Sequence, residues 1–328
     1  MKITLVHDLD QFTTMGNKVG KIDSYHNLVT TYISTALVRL GHKLEIYGSD
    51  LELEYNLKKP KPDLAFNTSI RRFNNSAYAY APGILEKLKI PYTGPSALAC
   101  SNAYDKQQSN KIMRKAGVNV AKAVSISLND EINKIWDLKF PIFVKPQKGG
   151  CSQGISRNNL LLSMHKAQEK ISALLEEIGN PVIVEEFLPG REFTVGILGN
   201  QPPKVLPILE FTYKDSELPF RSYSRKMINY EVEDEVSLAV LNEVELSIIE
   251  KLAINAFKAL DCKDYARIDI RLDAFGIPAV LEVNAIPNLH DETSSFGLMV
   301  KYAGITFDEL IAEIVNSALN RYSITENA

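Results

Sequence analysis

Two short segments near the C-terminus, RIDIRLD (residues 267–273) and AVLEVNA (279–285), constrain this chain more than any other feature. Both place polar residues at alternate positions on an apolar background, the pattern of a strand with one buried face. Asp273, Ala274, Phe275 and Gly276 between them supply turn chemistry, so an antiparallel pair is expected. Residues two apart on a strand point the same way, so Asp269 on one strand and Glu282 and Asn284 on the other share a face, and Arg267 joins them. Three hard oxygen donors converging there suit Mg²⁺, which keeps water and phosphate oxygens in its other positions. The alternative is a solvated face of unrelated charges. Arg267 then serves charge balance or oxyanion stabilisation.

At 328 residues the chain has material for two or three domains. Ile3–His7, Lys43–Tyr47 and Asp63–Asn67 read as short strands. Between the first two, Leu28, Val29, Tyr32, Ile33, Ala36, Leu37 and Leu40 form one helical stripe ending at Gly41, which predicts a small parallel α/β unit. The loop from Asp8 to Ser24 is expected at its cleft edge. A composition change near Ala103 introduces DKQQSNKIMRKAGV, a polar helix with Ser101 or Asn102 as cap and Gly117 as stop. There follow PIFVKP (141–146), the glycine-rich KGGCSQG (148–154), a helix over His165–Ile178 and the strand PVIVEEFL (181–188). The last third holds FTVGILG, a polar stretch through Tyr230, a helix over Val244–Leu260 and the strand pair. The expected organisation is an N-terminal α/β domain over 1–103, a central lobe with a flap over 104–188, and a C-terminal lobe over 189–328 carrying the metal and substrate site.

Thirty-seven Lys+Arg against 40 Asp+Glu leave a formal charge of -3, which argues against a nucleic-acid or anionic-membrane partner. Apolar runs fall far short of the roughly 20 residues that span a bilayer. The start MKITLVHDLDQF lacks a signal-peptide core, and Cys100, Cys151 and Cys262 show no CxxC pairing. A reducing cytoplasm is the expected location.

Lys145 ends an apolar strand, where a buried ammonium needs an anion, and phosphate is the natural partner. Gly149, Gly150, Cys151, Ser152, Gln153 and Gly154 can present successive backbone N–H groups to phosphate. The stretch GNKVGK (16–21) is no Walker loop, being one residue short between its glycines and followed by Ile22.

The segments PYTGPSALACSNAYDK, VKPQKGGCSQGIS, VEEFLPGREFTVGILG, ARIDIRLD and LEVNAIPNL, in this order and spacing, resemble the ATP-grasp superfamily and within it the D-alanine–D-alanine ligase family, over roughly residues 60–312. The resemblance implies an ATP-grasp fold with ATP between the central and C-terminal lobes. It implies Lys106 and Lys145 on the ATP phosphates, with Cys151 and Ser152 in the glycine-rich loop beside them. Glu185 and Leu188 would hold the adenine edge, Glu192 the ribose hydroxyls, and Lys226 would reach the phosphates from a flexible loop. Asp269, Glu282 and Asn284 match positions for two Mg²⁺, with Mn²⁺ as the alternative ion. Arg267 matches the arginine beside the transferred phosphoryl group, and Asn288 and Ser294 match substrate-binding positions. The implied partners are ATP, a carboxylate and an amino acid, and the implied assembly is a homodimer.

The departures from the family pattern concern the substrates. Its usual opening, a glycine-rich turn followed by Ser and an ammonium-binding Glu, is replaced by HDLDQFTTMGNKVGKIDSYHN, where Asp8, Asp10, Asp23 or His7 is the candidate to meet the first substrate. The alternative is that the aspartates are solvated loop charges. A loop serine is Cys151 here, read as a small loop filler, and a tyrosine after the flap lysine is Met227. Asn288 stands in place of a glycine and reshapes the second amino-acid site, while His290 reads as an exposed loop residue. Cys100 and Cys262 read as packing. The resulting expectation is an ADP-forming ligase that joins a carboxylate to an amino acid through an acylphosphate. The rivals are a D-alanine–D-alanine ligase with a divergent N-terminus and a non-catalytic ATP-binding module.

Overall fold

The computed structural model describes residues 1–8, 22–58, 60–70, 78–127, 129–150, 155–178, 181–213, 235–289 and 294–324. Strands β1 (Lys2–His7), β2 (Lys43–Gly48) and β3 (Leu64–Asn67) form a parallel sheet in the order β2-β1-β3. The middle strand buries Ile3, Thr4, Leu5 and Val6 in succession, as a strand covered on both faces does. One covering element is the helix Ile22–Arg39, whose Val29, Ile33, Ala36 and Leu37 stripe packs with Ile3, Leu5, Leu64 and Phe66. The helix begins before the expected loop ends at Ser24. It stops as read, with Gly41 at φ +83°.

A second sheet, β4 (Ala123–Ile126), β5 (Ile142–Pro146), β6 (Leu160–Leu161) and β7 (Val182–Glu186), is antiparallel in the order β4-β7-β5-β6. Period-two alternation divides its faces. Ile142, Val144, Val182 and Val184 join Ala167, Ile171 and Leu174 of the helix Met164–Ile178 in one apolar cluster. Phe143, Lys145 and Glu185 are left on the opposite face.

The third sheet runs β11-β10-β8-β12-β13, from β8 (Glu192–Leu198), β10 (Leu209–Thr212), β11 (Glu235–Leu238), β12 (Tyr265–Leu272) and β13 (Pro278–Asn284), with β9 (Lys204–Val205) on β8. Phe193, Val195, Ile197, Ile268 and Ile270 pack with Ile249, Ala253, Ala256 and Phe257 of the helix Glu243–Ala259. The other face therefore presents Glu192, Thr194, Arg267, Asp269 and Arg271. Asn242 and Glu245 close a reciprocal capping box at the start of that helix.

One expected cap moves. Ser101 and Asn102 lie inside the helix Ala97–Tyr104, which Ser96 caps, and Asp105 caps the helix Lys106–Lys115 by accepting from the N–H groups of Gln107 and Gln108. Three polar residues in series all carry cap chemistry, and packing of Ala99, Cys100 and Tyr104 decides which turn is buried. The parallel sheet is tied to the third sheet through Asp264, which is fully buried. It accepts from Gly94 N at 2.8 Å, Asn200 Nδ2 at 2.7 Å and Arg321 Nη2 at 2.8 Å, and Arg321 also donates to the carbonyls of Tyr92 and Gly94.

Candidate active site

The polar faces of the second and third sheets bound a cavity of about 140 Å³. Lys145, Phe143 and Glu185 line it from one side, and Glu192, Arg267, Asp269, Arg271 and Glu282 from the other. Phe187 and Leu188, in the chain segment that crosses between the sheets, close one edge. Lys145 and Glu185 are diagonal neighbours on β5 and β7, and their Nζ and Oε1 atoms are 2.5 Å apart with both side chains buried. The anion that meets the strand-end lysine within the described residues is thus a carboxylate on the next strand. In a buried pair of this kind each charge offsets the cost of burying the other.

The expected hairpin is present, with Arg267 opposite Asn284 and Asp269 opposite Glu282. The register shifts just after Asp269, a bulge of the sort that re-aims side chains beside functional sites. Asp269 is held from several directions. Its Oδ1 accepts from Thr194 Oγ1 at 2.6 Å and Arg267 Nε at 3.0 Å, and its Oδ2 from Arg267 Nη2 at 2.9 Å and Asn284 Nδ2 at 3.0 Å. Asn284 Nδ2 also lies 3.5 Å from Glu282 Oε1. Among the described residues no cluster of three or more His, Cys, Asp or Glu is arranged for a metal. The candidate set is instead two carboxylates and an amide. These hard donors fit Mg²⁺ bound jointly with phosphate oxygens, with the Asn284 amide turned to offer Oδ1 in place of Nδ2.

Lys106 enters from another direction. Its backbone N–H bonds to Gln147 O at 3.0 Å, Gln147 Nε2 bonds to both oxygens of Asp105, and Lys106 Nζ donates to Gly149 O at 2.9 Å. Gly149 sits at φ +127°, a conformation that favours glycine. Lys106, Gly149 and Gly150 line a smaller cavity together with Glu282 and Asn284, and Leu281 and Glu282 line both cavities. The two lysines therefore approach the acidic hairpin from separate sides.

A third hollow of about 50 Å³ lies at the C-terminal ends of β1 and β3, where the parallel order reverses about β1. Such switch points are where open α/β sheets bind ligands. His7, Thr30, Thr68 and Ile70 line it with Pro287 and Asn288, which follow the β13 asparagine. Asn288 Oδ1 is buried there without a hydrogen-bond partner among the described residues. Asp8 accepts from Ser49 Oγ, Ser69 Oγ and Ile70 N at 2.6, 2.6 and 2.9 Å, so its carboxylate anchors the backbone after β3. His7 Nδ1 is 3.2 Å from Thr30 Oγ1. Ser294 caps the helix Ser295–Tyr302 by accepting from Gly297 N at 3.0 Å. Cys100 and Cys262 are buried, as the packing reading expects. Cys151, Ser152, Lys226, Met227, Asp10 and His290 and the side chain of Asp23 lie outside the described residues.

Sequence reasoning missed Thr194, Phe187 and Arg271. The signal for Arg271 was available, because the alternation that pairs Arg267 with Asp269 continues one step further. No helix among the described residues is long and apolar enough to cross a membrane.

Comparison with known proteins agrees with this architecture. Residues 112–316 match the family model described as D-ala D-ala ligase C-terminus. A D-alanine–D-alanine ligase of Aquifex aeolicus is 34% identical over 86% of this chain and 92% of that protein. The uncharacterized protein y4sG of Sinorhizobium fredii is 30% identical over 88% of this chain and 87% of its own length. The crystal structure of a Bacillus anthracis D-alanine–D-alanine ligase superposes with a TM-score of 0.76 at 22% identity, covering 98% of this chain and 99% of that one. With the fold and most of the length in common, the chain belongs to the D-alanine–D-alanine ligase family of ATP-grasp enzymes.

Proposed function

We propose that the protein is an ATP-dependent carboxylate–amine ligase that forms an amide bond through an acylphosphate, with an amino acid as nucleophile. The observation that carries this reading is the single cavity onto which Lys145, Arg267, Asp269 and Glu282 all open. Cationic groups and metal-type carboxylates meet there on rigid strands, as phosphoryl transfer requires. A Bacillus anthracis ligase of the same fold, at a TM-score of 0.75, is described as complexed with ATP, which supports a nucleotide in the corresponding place.

In this reading Glu185 and Leu188 hold the adenine edge, Glu192 the ribose, and Lys145, Lys106 and Lys226 the phosphates, with Ser152 and Cys151 in the covering loop. The substrate carboxylate oxygen attacks the γ-phosphorus, the bond to the β–γ bridging oxygen breaks, and ADP and an acylphosphate result. The amine then attacks the acyl carbon, the C–N bond forms, phosphate leaves and the amine gives up a proton. Arg267 stabilises the charge that develops on the transferred group and on the tetrahedral intermediate. Asp269 holds Arg267 in place for that task. Mg²⁺ at Asp269, Glu282 and Asn284 would supply charge neutralisation at the phosphates. Asn288 and Ser294 contact the second substrate, and the first lies on the His7 side of the hollow that His7 and Asn288 both line.

A D-alanine–D-alanine ligase in the strict sense is the second reading, favoured by the names of several relatives. The experiment is ATP-dependent phosphate release with Mg²⁺ over pooled D- and L-amino acids, with mass spectrometry of each positive pool. A condensed product supports the ligase, and D-alanyl-D-alanine from the D-alanine pool selects the second reading. ATP binding with no release in any pool means that the activated carboxylate is not an amino acid or that the protein is a non-catalytic nucleotide module.

A further inference from the structure

Arg271 has no part in the roles assigned so far, yet it is a buried cation, only 3% exposed, in the main cavity. A guanidinium out of water is costly unless its donors are satisfied. On this chain the partners are specific. Arg271 lies directly opposite Glu192 in the β12–β8 register, and its Nη1 donates to Glu192 Oε2 at 3.0 Å. Its Nε donates to the carbonyl of Gly190 at 3.1 Å, and the guanidinium stands 4.8 Å from the centre of the Phe187 ring. The ring of Tyr213 is 5.9 Å away.

Phe187 and Gly190 belong to the segment that crosses from the second sheet to the third, between β7 and β8. This crossing is pinned to the end of β12, where Gly190 N donates to Leu272 O at 2.9 Å. A Cβ at Gly190 would lie 2.8 Å from Leu272 O and 2.7 Å from Leu272 Cβ, so the crossing lies against the strand at a distance only glycine permits. The two arginines of RIDIR thus each hold one of the acidic groups that line the cavity. Arg267 fixes the hairpin carboxylate Asp269, and Arg271 fixes Glu192 together with the crossing segment.

We propose that Arg271 is a positioning residue for the nucleotide: it sets the orientation of the Glu192 carboxylate and the path of the Phe187–Gly190 crossing, and through them sets recognition of the ribose. This rests on the reading that Glu192 meets the ribose hydroxyls. Arg271 itself reaches no phosphate in this role. A planar fork with simultaneous partners on a strand, a carbonyl and a ring is what a lysine cannot reproduce in full.

The test is calorimetric binding of Mg-ADP and Mg-2′,3′-dideoxy-ADP to the full-length protein, which needs no knowledge of the carboxylate substrate. The readout is the ratio of the two Kd values, a quantity that a loss of general stability does not move. Glu192→Gln should weaken ADP binding about tenfold and bring the ratio close to one, because the dideoxy nucleotide has no hydroxyls to lose. Arg271→Met should do the same, the double variant should be no worse than either single variant, and Arg271→Lys should recover part of the ratio. Arg271→Gln serves the same comparison where Arg271→Met does not yield folded protein. A normal ratio in Arg271→Met or Arg271→Gln, beside a lost ratio in Glu192→Gln, overturns the inference and leaves the ribose assignment standing. A normal ratio in Glu192→Gln overturns the assignment itself, and the inference with it.

Discussion

Lys145 Nζ lies 2.5 Å from Glu185 Oε1, with each side chain only 8% exposed, so the cavity wall contains a nearly dry ion pair spanning two strands. Removing one partner of such a pair leaves the other charge buried, at a cost of about 3–5 kcal/mol. Lys145→Met is therefore expected to lower stability by about that amount and to weaken ATP binding. Adding Glu185→Leu should recover most of the stability but not the binding. Urea unfolding and calorimetry of the single and double variants measure the two effects separately, and equal stability of Lys145→Met and wild type would show that the pair is solvated.

Asp269 and Glu282 face each other across the hairpin but are held very differently. Asp269 accepts from Thr194, Arg267 and Asn284, whereas among the described residues Glu282 is met by a single 3.5 Å contact with Asn284. Asp269→Asn turns an amide N–H₂ toward existing donors and should cost about 2–3 kcal/mol. Glu282→Gln should stay within about 1 kcal/mol of wild type. Both should abolish turnover. Chemical unfolding beside phosphate release checks the contrast, and equal destabilisation of the two would contradict it.

Asp264 is the buried tie between the parallel sheet and the third sheet. Asp264→Asn, opposite the Arg321 guanidinium, should destabilise the protein by about 3 kcal/mol. Burial disfavours the Arg321 cation, but the Asp264 charge and hydrogen bond outweigh it and raise its pKa. A cation whose pKa is raised on folding contributes its stability throughout the range below its unfolded pKa. The difference between wild type and Asp264→Asn should therefore stay constant from pH 7 to about pH 10 in unfolding titrations. A difference that shrinks over that interval would show that Arg321 loses its proton early.

Burial, with the Asp261 charge second, pushes the Cys262 thiol up to about 12, and burial together with neighbouring Cys262 pushes up that of Cys100. Neither offers a thiolate near neutral pH. In a Cys151→Ala variant, a chromogenic disulfide reagent at pH 8 should find no reactive thiol in the native protein and both in denaturant. Rapid native labelling would contradict the packing role.

Much of the candidate site was legible along the chain because a strand pair has only one way to alternate. Arg267, Asp269, Glu282 and Asn284 share a face once RIDIRLD and AVLEVNA pair, and the Asp273–Gly276 turn fixes that they do. The strand runs Ile3–His7, Lys43–Tyr47 and PIFVKP and the stripes of the two long helices likewise report burial locally, through periods of two and 3.6. The cap of the helix Lys106–Lys115 was misplaced for the complementary reason. Ser101, Asn102 and Asp105 all carry cap chemistry, and only packing chooses among them.

The sequence by itself determined which residues share a strand face, where the helices stop and which chemical groups the chain has to offer. Tertiary structure alone decided which partners those groups take. Asp8 bonds to Ser49 and Ser69, far along the chain, and so is an anchor for the loop after β3. Lys145 meets Glu185 across two strands, and Arg271 meets Glu192 and the crossing at Gly190. The reason is physical: alternation and capping are set by neighbours a few residues away, whereas the partner of a buried charge is set by which distant segment the packing of three sheets brings within 3 Å or so.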